Sequence, residues 1–78
     1  MTKLNGFIDV KSSTIKAIGY DKERNILGVQ FISGGIYSFE DVEPEIFEEF
    51  KIAESKGKFF AAKIKGKYDY EVWVDKHV

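Results

Sequence analysis

Five lysines, Lys56, Lys58, Lys63, Lys65 and Lys67, fall between residues 56 and 67 with no acid among them, and Phe59, Phe60, Tyr68 and Tyr70 stand within or just beyond the run. Ammonium groups neutralise phosphates and flat rings take up unstacked bases, so these residue types together suit a single strand of nucleic acid. The plainer reading is a solvated helix face, where lysine is a common occupant, and spacing alone favours that reading. Within the run, "SKGK" (Ser55, Lys56, Gly57, Lys58) would offer backbone N–H groups and two ammonium groups to a phosphorylated ligand if a helix starts there. Helix capping accounts for Ser55 and chain reversal for Gly57 without any ligand, and the spacing is not that of a Walker loop.

Other chemistry is poorly supplied. The chain has no cysteine, which removes disulfides, thiolate nucleophiles and, in effect, a zinc site. His77 is the single histidine and sits near the end of the chain, where a general base is not expected. Glu40, Asp41, Glu43, Glu45, Glu48 and Glu49 could hold Mg²⁺ or meet a basic partner, but they mainly resemble the wet side of a helix. Ser12 and Ser13 could donate to a ligand and equally suit the start of a strand. With no constellation of histidine, cysteine or paired carboxylates, the sequence makes no case for an enzyme, and neither metal nor cofactor is expected.

Seventy-eight residues supply one small core, so a single domain over 1–78 is expected. The net charge of −1 conceals a dipole, acidic over 40–49 and basic over 56–67. No segment reaches the roughly 20 apolar residues that cross a bilayer, and the N-terminus lacks an apolar leader, so a soluble cytoplasmic protein without membrane contact is expected.

The elements that would position these groups follow from periodicity. "STIKAIGY", "ILGVQFI" and "IYSFED" are β-branched and aromatic runs separated by "DKERN" and "SGG", which predicts a three-stranded antiparallel meander. A five-residue first turn would set Ile15, Ala17 and Gly19 beside Phe31, Val29 and Leu27. A Ser33-Gly34-Gly35 loop, with Gly35 at positive φ, would set Phe31 and Val29 beside Tyr37 and Phe39. One face is then Ile15, Ala17, Leu27, Val29, Phe31, Tyr37 and Phe39. The other, with Ile18 and Tyr20, is half polar and open to cover by "FIDV", "YEVWV" or a second copy of the chain.

Pro44 suits a first helical turn, and Ile46, Phe47, Phe50 and Ala53 repeat at helical spacing. A second short helix is predicted from about Lys56 to Lys65, with Phe60, Ala61, Ile64 and Tyr68 facing inward and Phe59 lying off that stripe between Lys56 and Lys63. "DYEVWVDK" alternates and is a candidate fourth strand.

The segments "VKSSTIKAIGYD", "LGVQFISGGIYSFEDV", "IFEEFKIAESKGKFF" and "KIKGKY" together resemble the KTSC domain, a bacterial and phage module also found at the C-terminus of some lysyl-tRNA synthetases. The resemblance covers residues 10–70, leaving 1–9 and 71–78 as extensions, and rests on Ser12-Ser13, Gly19-Tyr20-Asp21, an aromatic-x-aromatic pair and Ser55-x-Gly57-x-aromatic-Phe60. Here the central Tyr-x-Tyr reads Tyr37-Ser38-Phe39, and the asparagine usual after the aromatic pair is Ala61. What the resemblance implies is RNA binding as a suggestion, with no settled activity.

The resulting expectation is an α+β domain, a three- or four-stranded antiparallel meander sheet packed against two short helices. As function it gives a non-catalytic module for RNA or single-stranded nucleic acid, with Ser55, Lys56, Gly57, Lys58, Phe59, Lys63, Lys65, Lys67 and Tyr68 as its binding residues and Phe59 as the stacking plane. The alternatives are a protein-interaction or self-associating module, including a homodimer, and capture of a small phosphorylated ligand such as a nucleotide.

Overall fold

The runs between Ile15 and Phe39 form consecutive antiparallel strands in the computed structural model, which describes residues 6–74. In chain order the strands are β1 (Ile8–Asp9), β2 (Ile15–Asp21), β3 (Ile26–Phe31), β4 (Ile36–Phe39) and β5 (Tyr70–Val74), and they pair in that order in one sheet. The α+β class and the meander are as predicted, but the sheet has five strands rather than three or four. "YEVWV" is the fifth, and the short β1 joins the opposite edge. His77 lies outside the described residues.

The register of β2 differs from expectation at one residue. Ile15 pairs with Phe31, but Ala17 pairs with Gln30 and Ile18 with Val29, because Lys16 is an extra, bulged residue. A bulge interrupts the ladder and turns the following side chains over. Strict alternation would bury Ala17 and expose Ile18 on the solvent side. The bulge sends both Ile15 and Ile18 into the core at 0% exposure. Burying one isoleucine contributes about 1.5–3 kcal/mol. A lost ladder hydrogen bond costs about 0.5–1.5 kcal/mol, so the bulge wins.

Moving the register by one also shortens the first turn to Lys22–Asn25, with Asp21 opposite Ile26. The Asp21 carboxylate accepts from the Glu23 and Arg24 amides at 3.0 and 3.3 Å, and Asn25 takes φ 56°, a conformation asparagine tolerates. In the next turn Leu27 pairs with Phe39 and Val29 with Tyr37, two residues from the predicted register. A shift of two keeps every side chain on its face. Gly34, not Gly35, adopts the positive φ, and the Phe31 amide donates to the Gly35 carbonyl.

The second face of the sheet is built from small buried residues, Ala17, Gly19, Gly28 and Ser38. Phe7 lies against Gly19, where a Cβ would stand 3.3 Å from its ring. From the other edge, a bulge at Trp73 aims the indole N–H at Ser38 Oγ, 2.7 Å away. Phe7, just before β1, and Trp73 of β5 thus supply the cover that the half-apolar face needs.

Helix α1 (Pro44–Ile52) begins with proline at its first position, and buries Phe47 and Phe50 against the core face of the sheet. Tyr20 stacks on Phe47 with centroids 5.1 Å apart, and its hydroxyl donates to the Val42 carbonyl, tying β2 to the chain just before the helix. Helix α2 (Lys56–Phe59) follows and runs directly into a π-helical turn, Phe60–Ile64, closed by the Lys65 amide on the Phe60 carbonyl at 2.8 Å.

That π turn corrects the prediction for Phe59. A π turn takes about one residue more than an α turn, so it rotates Ile64 back toward Phe59 and puts Phe59, Phe60 and Ile64 on one inward arc. Phe59 stacks on Phe50 with centroids 5.1 Å apart and planes 15° apart, while Phe60 meets Phe31 and Phe39 edge-on.

Candidate functional site

The residues singled out in the sequence are divided among several places. Ser55, Lys56, Gly57 and Lys58 line a polar cleft of about 530 Å³ together with Lys11, Ser12, Ser13 and Thr14. Two motifs more than forty residues apart therefore face each other. Their best-defined groups already have local roles: Ser12 Oγ accepts from the Thr14 and Ile15 amides, both at 3.1 Å, and Ser55 Oγ caps α2 by accepting from the Lys58 amide at 3.2 Å. Gly57 is not a break. It is the second residue of α2, beside the start of β2, and a Cβ there would make only an ordinary contact, 3.5 Å from Thr14 Oγ1. Lys56 donates to the Ala53 carbonyl, which leaves the ammonium groups of Lys11 and Lys58 as the cleft's exposed cations.

Lys65 lines a different cleft, of about 440 Å³, whose other walls are Phe31, Tyr37, Phe39, Phe60, Gly66 and Tyr70. The sheet, the π turn and the start of β5 meet here. Tyr37 and Tyr70 have centroids 5.8 Å apart with planes inclined at 40°, and Phe39 stands at a matching 5.8 Å from Tyr70. The Tyr37-x-Phe39 pair faces the core side of the sheet, as its alternation predicted, but that side is open between β4 and the π turn. Sequence reasoning assigned these rings to packing and missed the cleft. The available signal was Tyr70, an aromatic outside the predicted core stripes.

Lys67 and Tyr68 border a third hollow, of about 340 Å³, with Glu40, Asp41, Gly66 and Asp69. Lys63 is exposed and lines none of these three clefts. Phe59 lies in the packing against Phe50, so its ring does not offer the open stacking plane that was expected. Among the described residues, no helix is long and apolar enough to cross a membrane, and no group of three or more His, Cys, Asp or Glu could hold a metal ion.

Tyr68 links the third hollow to α1. Its hydroxyl donates to Glu43 Oε1 at 2.8 Å, and burial first, then this bond to a carboxylate, pushes the phenol up to about 12. The Glu43 carboxyl is lowered in turn, by its own backbone amide first and by Tyr68 second. The fold thus favours the protonated phenol. Its contribution to stability is complete below pH 10, the ordinary tyrosine value, and is lost as pH rises toward about 12. Denaturant midpoints measured across that window should fall more steeply for the parent than for Tyr68→Phe. Parallel declines would show that the bond contributes nothing.

The KTSC domain family model matches residues 11–68. That span stops short of β1 and β5, which nonetheless extend the sheet at both edges. The chain is similar to an uncharacterised protein of Stutzerimonas stutzeri, 36% identical over 66 residues that cover 85% of this chain and 92% of that one. It is also similar to the crystal structure of a KTSC domain protein from Yersinia pestis, with a TM-score of 0.84, 37% identity and coverage of 86% of this chain and 94% of that one. A segment of the lysine–tRNA ligase of Nostoc punctiforme is 36% identical over 61 residues, 78% of this chain but only 11% of that enzyme.

Proposed function

The chain belongs to the KTSC domain family, and on that premise we propose that it is a non-catalytic module that binds RNA or another single-stranded nucleic acid. The observation that carries the reading is the state of the lysines. Lys58, Lys63, Lys65 and Lys67 are all exposed, and among the described residues none of them forms an ion pair. Lys58, Lys63 and Lys65 attract phosphates locally although the whole chain carries a net charge of −1, whereas Lys67 shares its hollow with Glu40, Asp41 and Asp69. Relatives named as lysine–tRNA ligases, which act on a tRNA, carry a similar segment, and this supports both the ligand class and a cytoplasmic setting.

The test is a titration with labelled single-stranded RNA across a salt series. Contact with four or five phosphates gives a log–log slope of about −3. Absent binding, or affinity indifferent to salt, contradicts the reading.

One observation favours a second reading, self-association. Among the described residues, strand β5 pairs only with β4, and it exposes Tyr70, Val72, Trp73 and Val74 by 57, 43, 39 and 37%. An apolar edge strand is a template for another strand. Sedimentation showing a strict monomer at high concentration removes this reading.

A further inference from the structure

The cleft between β4, β5 and the π turn has features that packing does not use. Its volume, about 440 Å³, lies in the range of small-ligand sites. Tyr70 is 57% exposed although Tyr37 and Phe39 stand close by, and among the described residues neither the Tyr37 nor the Tyr70 hydroxyl has a protein partner. Lys65 places a cation without an ion pair on the same wall. Gly66 beside it takes φ +76°, and a Cβ there would meet nothing within 4 Å. The floor at Gly66 is therefore open, and a strand backbone could pass close to the protein at that point.

We propose that this aromatic cleft receives one unstacked nucleobase, with the adjoining phosphate on Lys65. The inference deepens the nucleic-acid reading and rests on it. A planar π system can lie on the exposed ring of Tyr70 with Tyr37 beside it, and the two free hydroxyls supply hydrogen bonds to the base edge. Charge decides which way the phosphate lies. Gly66 also lines the hollow that holds Lys67, but Glu40, Asp41 and Asp69 line it too and repel an anion. The phosphate thus belongs on the Lys65 side. The cleft moves the stacking role from Phe59, which is committed to Phe50, to the exposed Tyr70.

The experiment uses the whole chain and a short single-stranded RNA carrying one 2-aminopurine between uracils, with anisotropy reporting binding and 2-aminopurine fluorescence reporting stacking. Binding is expected to quench the fluorophore. Tyr70→Ala, at an exposed edge position, is expected to weaken binding at least fivefold and to abolish the quench, in line with the loss of one base–aromatic stack. Lys65→Ala is expected to weaken binding while leaving the quench of the bound strand intact. RNA that binds the parent protein without quenching, or equally well to Tyr70→Ala, overturns the cleft and leaves the nucleic-acid reading standing. The parent-protein quench keeps the test valid should the variant fail to fold. Adenosine monophosphate is titrated in parallel. Binding of the mononucleotide, sensitive to Tyr70→Ala, in the absence of strand binding assigns the same cleft to a free nucleotide and overturns the strand reading alone. If neither RNA nor mononucleotide binds, both the cleft and the reading fall.

Discussion

Phe50→Ala should lower the stability of the domain by about 3–5 kcal/mol. Phe50 is fully buried in the same cluster as Val42 and Ile64, and its ring forms the surface on which Phe59 stacks. A chain of this length has a total stability of roughly 4–12 kcal/mol, so the loss takes from about a quarter to all of it. The parallel variant Phe59→Ala removes a ring that is only half-buried and should cost less. Because that ring is part of the packing, the folded fraction of Phe59→Ala should keep the RNA affinity of the parent. Urea denaturation of both variants checks the order of the two losses. A near-parental midpoint for Phe50→Ala would mean that the helices do not close the core as described.

Lys58→Glu with Lys63→Glu should leave the fold intact and remove most of the RNA affinity. Both side chains are exposed and neither forms an ion pair among the described residues, so the stability change should stay within about 0.5 kcal/mol. Each phosphate contact on a single strand contributes a slope of about −0.7, which corresponds to about fivefold in affinity near 0.1 M salt. Losing two contacts therefore costs about 25-fold, and the repulsion of two new carboxylates adds to it. The salt slope should flatten from about −3 to about −1.5 at the same time.

Much of the scaffold is legible in the sequence because single residues dictate it. Pro44 starts α1, Ser55 caps α2, and the β-branched runs around "DKERN" and "SGG" give the meander. The features that escape are insertions into regular periods. The extra residue Lys16 moves Ile18 from the outer face to the core, and nothing local distinguishes it from an ordinary alternating lysine. The π turn adds a residue to one helical turn and brings Phe59 inward, against a 3.6-residue wheel that places it outside. Both insertions are favoured by burial in the tertiary structure, which a periodic reading cannot weigh.

The candidate site was legible only in pieces for the same reason. The lysines and Ser55 are visible along one segment, but the structure gives Lys58 and Lys65 to separate clefts. The aromatic cleft joins residues from β3, β4, the π turn and β5, and its formation depends on β5 returning to pair with β4. No spacing within one segment carries that arrangement. Ser12 and Ser55 illustrate the converse: they sit together in space, yet each is engaged in capping its own stretch of backbone.

Titrating the parent protein and the Lys58→Glu, Lys63→Glu variant side by side with labelled single-stranded RNA over the same salt series decides whether the lysine segment holds a strand. The parent should bind with a slope of about −3, and the variant about 25-fold more weakly near 0.1 M salt with a slope about half as steep. Equal affinities and equal slopes in the two proteins, or no binding by the parent at low salt, would contradict that role of the segment.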